Sequence, residues 1–144
     1  MRFAKYLVLA LALFSLGAAN EASAKRKLMP KVYIYGFSAA FNDSTVYFTD
    51  VQEVENVWID KKTKFLLNRQ FYSSQLKAHL ASKQNLPDRT CIVMYGLTRK
   101  DAEKKYIKLK KQYTVKAKNK FNVQYINSGE FKFKAVEVPE EVEE

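Results

Sequence analysis

The chain has 144 residues, 47% of them apolar and 28% charged, with 25 Lys+Arg against 15 Asp+Glu and a formal charge of +10. That length and apolar content fit one globular domain with one core and exclude a chain too polar to fold. A single cysteine, Cys91, excludes an intramolecular disulfide, and a single histidine, His79, excludes the usual metal sites built from two or three imidazoles.

The N-terminus carries Arg2 and Lys5, an apolar run over residues 6–16 and the small residues Ala22-Ser23-Ala24. This is the pattern of a secretory signal peptide, with cleavage expected after Ala24 and export to the periplasm or beyond. An apolar run of this length is too short to span a hydrocarbon layer of about 30 Å as a helix, so no transmembrane segment is expected after cleavage. Residues 25–30, Lys-Arg-Lys-Leu-Met-Pro, read as a flexible basic arm.

Residues 31–41 alternate apolar groups on both sides of a strand, and Asn42-Asp43-Ser44 turns the chain into a second strand over residues 45–49, which makes a hairpin. In residues 51–57 the spacing of Val51, Val54 and Trp58 favours a short helix or irregular segment, whereas Val57 and Ile59 alternate like a strand. Tyr72, Leu76 and Leu80 then mark a helix that stops before Asn85-Leu86-Pro87-Asp88. The continuous apolar run over residues 91–97 predicts a central strand buried on both faces.

Thr98 follows as a helix N-cap, with Asp101 placed to complete a capping box. On that helix Ala102, Tyr106, Leu109 and Tyr113 share one face while Lys100, Lys104, Lys108 and Lys111 share the other, with Ile107 at the lysine edge. Lys116, Lys118 and Lys120 continue the charge through a cationic link. Phe121, Val123 and Tyr125 alternate as a strand, and Asn127-Ser128-Gly129-Glu130 turns it into Phe131, Phe133 and Ala135, whose outward neighbours Lys132 and Lys134 suit a sheet edge. The expected fold is α+β: one domain over residues 31–136, a mixed sheet of about five strands with two terminal hairpins and two main helices, in the order ββαβαββ. Residues 137–144, with Glu137, Glu140, Glu141, Glu143 and Glu144, read as a disordered acidic tail.

Few side chains are placed for chemistry. Asp50, Glu53, Glu55 and Asp60 are the only close group of carboxylates, and a hydrolase using two of them would need their convergence in a cleft. Cys91 lies in a buried-type run and reads as a small core residue, and His79 as a partly buried, hydrogen-bonded helix residue. Gly36 and Gly96 end apolar strands without forming a phosphate-cradling loop. Trp58 packs in the core or serves as a glycan-stacking platform. No cofactor and no metal is implied. The basic body should attract anionic partners at long range, namely an anionic polymer, lipid head groups or an acidic protein surface. Specific nucleic-acid recognition is not expected, because Tyr106 and Tyr113 lie on the packed face where bases could not stack on them.

The segment Val93-Met94-Tyr95-Gly96-Leu97-Thr98-Arg99-Lys100-Asp101-Ala102-Glu103-Lys104, with Leu109-Lys110-Lys111 after it, resembles one strand-helix half of the SPOR family of peptidoglycan-binding domains. That family has two such halves, whereas here Tyr35-Gly36-Phe37-Ser38 leads to a hairpin turn where the pattern has a helix. The resemblance implies a peptidoglycan or glycan binder. The residues themselves favour an exported, non-enzymatic interaction domain that presents Lys100, Lys104, Lys108, Lys111, Lys116, Lys118 and Lys120 to an anionic envelope component or an acidic protein.

Overall fold

The computed structural model describes residues 25–139, so the expected signal peptide and the end of the acidic tail lie outside the described residues. These residues form five strands and two helices: β1 (Arg26–Ala39), β2 (Thr45–Thr49), β3 (Gln52–Asp60), α1 (Arg69–Lys83), β4 (Thr90–Gly96), α2 (Arg99–Tyr113) and β5 (Asn122–Ile126). The result is the small α+β domain with a mixed five-stranded sheet and two helices that the pattern predicts.

β1 is the middle of the sheet. It pairs antiparallel with β2 and β3 along one edge and antiparallel with β4 along the other, while β5 joins β2 in parallel. β2 and β3 behave as one interrupted strand. Their registers against β1, Phe37↔Phe48 and Ile34↔Gln52, differ by one residue, so Thr49, Asp50 and Val51 oppose only Tyr35 and Gly36. This is a β-bulge, which leaves a ladder group without its usual partner. The Thr49 side chain fills the gap: the Gly36 N–H donates to Thr49 Oγ1 at 2.8 Å, and the hydroxyl donates to the Asp50 carbonyl at 2.9 Å.

Because β3 and β4 both run antiparallel to β1, they are parallel to each other, and the connection between them carries α1. The connection from β4 to β5 crosses the sheet in the opposite direction and carries α2. Crossovers of the same hand in opposite directions place their helices on opposite faces. Val32 and Ile34 accordingly pack with Tyr72, Leu76 and Leu80 of α1, and Phe37 packs with Tyr106, Leu109 and Tyr113 of α2. The two faces differ in chemistry. The α1 face is mostly aliphatic, whereas the α2 face is an aromatic cluster in which Tyr35 and Tyr106 meet edge to face at 5.2 Å and Phe37 lies 4.8 Å from Tyr113.

Four elements differ from the sequence expectation. Residues 26–30, expected as a flexible arm, form the start of β1, because Arg26 to Met29 find ladder partners in Asp60 to Val57. Residues 51–57, expected as helix or irregular, belong largely to β3. Val54 and Val57, three apart, are both buried, and their partners Met29 and Val32 on the paired strand are spaced alike, so both strands turn over at the same rung, beside Pro30 and Asn56. Asn56 has φ 56°, a left-handed conformation that asparagine accepts more readily than most residues. β4 is an edge strand and not the central one, with Ile92 exposed, because the longer apolar run of β1 takes the centre.

The fourth difference is the C-terminal hairpin. β5 pairs in parallel with β2, and residues 131–139 carry no ladder. Side chains hold this strap instead. Gln52 donates to the Phe131 carbonyl and accepts from the Phe133 N–H, both at 2.8 Å. Gln75 does the same around Lys134, at 2.8 and 2.9 Å, while the Val136 N–H donates to Tyr72 Oη at 3.0 Å and Arg26 donates to the Val138 carbonyl at 2.7 Å. Phe133 is thereby buried against the α1 cluster.

A Cβ at Gly96 would lie 2.6 Å from Ala102 N and 2.9 Å from its Cα, so the first turn of α2 rests on bare backbone. At Gly36 the nearest atom, also at 2.6 Å, is the mobile end of the Leu76 side chain. Gly96→Ala should therefore cost about 2–3 kcal/mol in urea unfolding and Gly36→Ala less, since a side-chain end can yield where backbone cannot. Burial pushes the Tyr35 hydroxyl up to about 12. A folded-state value above the unfolded one near 10 favours the protonated native form, so the contribution is whole below pH 10 and lost as pH rises towards 12. Tyr35→Phe should remove about 2–3 kcal/mol of that alkaline loss, read from unfolding curves at pH 10 and pH 12.

Candidate functional site

α2 begins as its sequence dictates. Thr98 is extended, and its Oγ1 accepts from the Asp101 N–H at 3.2 Å. The carboxylate of Asp101 turns instead to Lys105 at 3.2 Å, so the capping box is half made. Ala102 is buried at the contact with Gly96, and Tyr106, Leu109 and Tyr113 pack behind it on the aromatic cluster. This docking fixes the rotation of the helix and leaves Lys100, Lys104, Lys108 and Lys111 exposed on its outer face, with Ile107 exposed among them as the wheel predicts.

After α2 the Lys116 N–H donates back to the Lys111 carbonyl at 2.9 Å, which folds the connection towards the end of the helix. Lys116, Lys118 and Lys120 are exposed along it, and the last two border a hollow of about 320 Å³ floored by Tyr113, Phe121 and Val123. Among the described residues none of these seven lysines lies within 4.0 Å of a carboxylate. Two other cations of the same helix are paired, Arg99 with Glu103 at 3.9 Å and Lys105 with Asp101. The structure thus leaves all seven sequence-predicted lysines exposed and unneutralised among the described residues, a strip of four along α2 followed by three on the connection to β5.

The remaining candidates are spread around the molecule. Trp58 is half-buried on β3, and the Arg26 guanidinium lies over its ring at 4.6 Å, so a cation of the same chain occupies one stacking face. Asp50 and Glu53 share a hollow of about 280 Å³ with Arg99 and Lys132, but both Asp50 oxygens and one Glu53 oxygen are engaged. Asp50 accepts from Gln52 and from the Ser128 N–H, and Glu53 accepts from Tyr33 and faces Lys31 at 3.6 Å. Glu55 is exposed, and Asp60 accepts from the Lys62 and Thr63 N–H groups, which hold its carboxyl below the usual range. Among the described residues no group of three or more His, Cys, Asp or Glu could hold a metal ion.

Cys91 is half-buried, and its thiol, pushed up by burial, donates to Ser38 Oγ at 3.5 Å. That is the environment of a protonated, slow-reacting cysteine. His79 differs from expectation, for its Nε2 is buried without a hydrogen-bond partner among the described residues and its ring lies 5.1 Å from Phe131. Tyr125 is half-exposed with Lys110 over its ring at 5.0 Å and the Phe48 ring at 6.4 Å.

Two features escape the sequence. The first is a hollow of about 340 Å³ beyond the ends of β3 and β4, where Lys64, Arg69 and Lys105 surround Tyr95. Arg69 is committed to the Val93 carbonyl and Lys105 to Asp101, so this hollow is less cationic than its residue types imply. The second is Arg89, which is only 3% exposed. It donates to Ser38 Oγ at 3.2 Å, to both Asp43 oxygens at 3.3 and 3.0 Å and to the Thr45 carbonyl, and lies 4.8 Å from the Tyr47 ring. A lone arginine after Pro87-Asp88 carries no local sign of such a role, because its partners lie 44 to 51 residues earlier.

No protein-family model matches the chain, and no curated protein or solved structure shows significant similarity to it.

Arg89 ties the tip of the β1–β2 hairpin to the start of β4. Arg89→Met should cost about 2–3 kcal/mol in urea unfolding, since it strips hydrogen bonds from Ser38 and Thr45 while Asp43 regains water. Amide exchange should quicken most in residues 40–45.

Proposed function

We propose that this chain is an exported, non-enzymatic interaction domain that binds an anionic partner along the outer face of α2 and the connection that follows it. One observation carries the reading: Lys100, Lys104, Lys108 and Lys111 along α2 and Lys116, Lys118 and Lys120 after it are exposed and without a carboxylate partner among the described residues, while neighbouring Arg99 and Lys105 are paired. Solubility alone needs positive charge somewhere on the surface, with both signs interspersed. It does not need the carboxylates of α2 to be spent on the flanks. A strip of this kind attracts polyanions at long range and releases their counterions on contact.

The carboxylates of the β2–β3 segment support an enzyme less well, because Asp50 and Glu53 are held by structural donors and flanked by cations. The lysine strip also asks nothing of Trp58, whose ring is already covered on one side by Arg26.

The test is retention on a dextran sulfate resin across a salt gradient, with Lys100, Lys104, Lys108 and Lys111 changed together to Gln. Each lost contact should reduce the dependence of log affinity on log salt by close to one, so the variant should bind on the order of 100-fold more weakly at low salt, with a clearly shallower slope. Unchanged retention with an unchanged slope would overturn the proposal.

A further inference from the structure

Three connections meet at one end of the sheet: the β1–β2 hairpin tip over residues 40–44, the α1–β4 connection over residues 84–89 and the α2–β5 connection over residues 114–121. The Asn122 N–H donates to the Ser44 carbonyl at 2.9 Å, and Arg89 reaches Asp43 and Thr45, so the three are tied into one surface. Leu86 and Phe121 pack inward, but two of its apolar side chains are left open to solvent. Phe41 at the hairpin tip is fully exposed and Val115, two residues past α2, is 82% exposed. Lys116, Lys118 and Lys120 are exposed on the same connection as Val115, which contains no acid. Of the two acids in the other connections, Asp43 is already spent on Arg89, which leaves Asp88.

A soluble polyanion has use for the lysines but none for a bare phenylalanine at the tip of a braced hairpin. An anionic lipid surface has use for both, since head groups attract the cations while the interface takes up apolar side chains that lie just beyond them. We propose that this end of the domain docks on a membrane surface containing anionic phospholipid, with Phe41 and Val115 entering the interface and Lys116, Lys118 and Lys120 contacting the head groups. The proposal rests on the last part of the lysine strip, Lys116, Lys118 and Lys120, as a binding surface and names its partner. It also sets the orientation, with the sheet end-on and the β3–α1 connection away from the lipid.

The test uses the chain from Lys25 to Glu144, which contains every described strand, helix and core residue, so that the apolar run over residues 6–16 does not itself bind lipid. It should sediment with vesicles containing phosphatidylglycerol and not with vesicles of phosphatidylcholine alone. The double variant Phe41→Ser, Val115→Ser should lose roughly tenfold in vesicle affinity while keeping its retention on dextran sulfate. Phe65→Ser, which removes a phenylalanine 67% exposed at the opposite end, should bind vesicles as the parent does. Lys116, Lys118 and Lys120 changed together to Gln should lose on the order of 100-fold.

Phe41→Trp should be quenched by lipids brominated in the acyl chains, whereas native Trp58, near the far end of β3, should not. Absence of sedimentation with phosphatidylglycerol vesicles, or vesicle affinity unchanged in the double variant, would overturn the membrane assignment while retention on dextran sulfate left the lysine strip standing. Quenching of Trp58 with Phe41→Trp unquenched would overturn the orientation.

Discussion

β1 has to be paired on both edges and covered on both faces at once. Residues 34–38 are buried without a break, so no part of the strand between Ile34 and Ser38 can face water. A backbone in that position must have every N–H and C=O partnered, because an unpaired buried group costs about as much as a lost hydrogen bond. The β2–β3 bulge interrupts the ladder at Tyr35 and Gly36, and the Thr49 hydroxyl restores it. The two helices then follow from the two faces. An aliphatic side demands α1, an aromatic side demands α2, and connections in opposite directions supply one helix to each.

Side chains substitute for missing backbone pairing elsewhere as well. The strap over residues 131–139 has no ladder pairing, and Gln52 and Gln75 each offer it the donor and acceptor that a neighbouring peptide group would have offered. An amide side chain is the right group for this, since it carries both functions in one plane. Arg89 plays the same part at the other end of the sheet, where the hairpin tip, Ser38 and Thr45 present oxygens that no ladder uses. Its charge stays tolerable in a buried place because Asp43 meets it while remaining in partial contact with water.

The same economy explains the surface. α2 is held by Ala102 on Gly96 and by Tyr106 and Tyr113 on the aromatic cluster, so its rotation is set by packing and not by charge. Its two acids fall on flanks where Lys105 and Arg99 meet them. The lysines of the outer face are left over, and the connection after the helix adds three more without an acid among them. Unneutralised charge that packing has oriented, next to apolar side chains that packing has not covered, is the basis on which both the binding role and its lipid partner are proposed.

The local patterns were readable. Thr98 as a cap, the packed and cationic faces of α2, Tyr72, Leu76 and Leu80 as the inner face of α1, and the first hairpin all depend on neighbours a few residues apart, and periodicity reports such neighbours directly. The exposure of the four candidate lysines on α2 was readable for the same reason, because the side of a helix opposite its apolar stripe must face water. What the sequence did not determine depends on pairs far apart in the chain. An apolar run that suits a central strand suits an edge strand under two helices equally well, so β4 and β1 could be ranked only by which found partners on both edges. The helix-like spacing of Val51, Val54 and Trp58 gives way to strand because Val54, Val57 and Trp58 find ladder partners in Val32, Met29 and Leu28. Arg89, Gln52 and Gln75 look like surface residues until the tertiary structure brings them to backbone groups 44 to 81 residues away. Hydrogen bonds of that range leave no period in the sequence, and only the folded chain decides them.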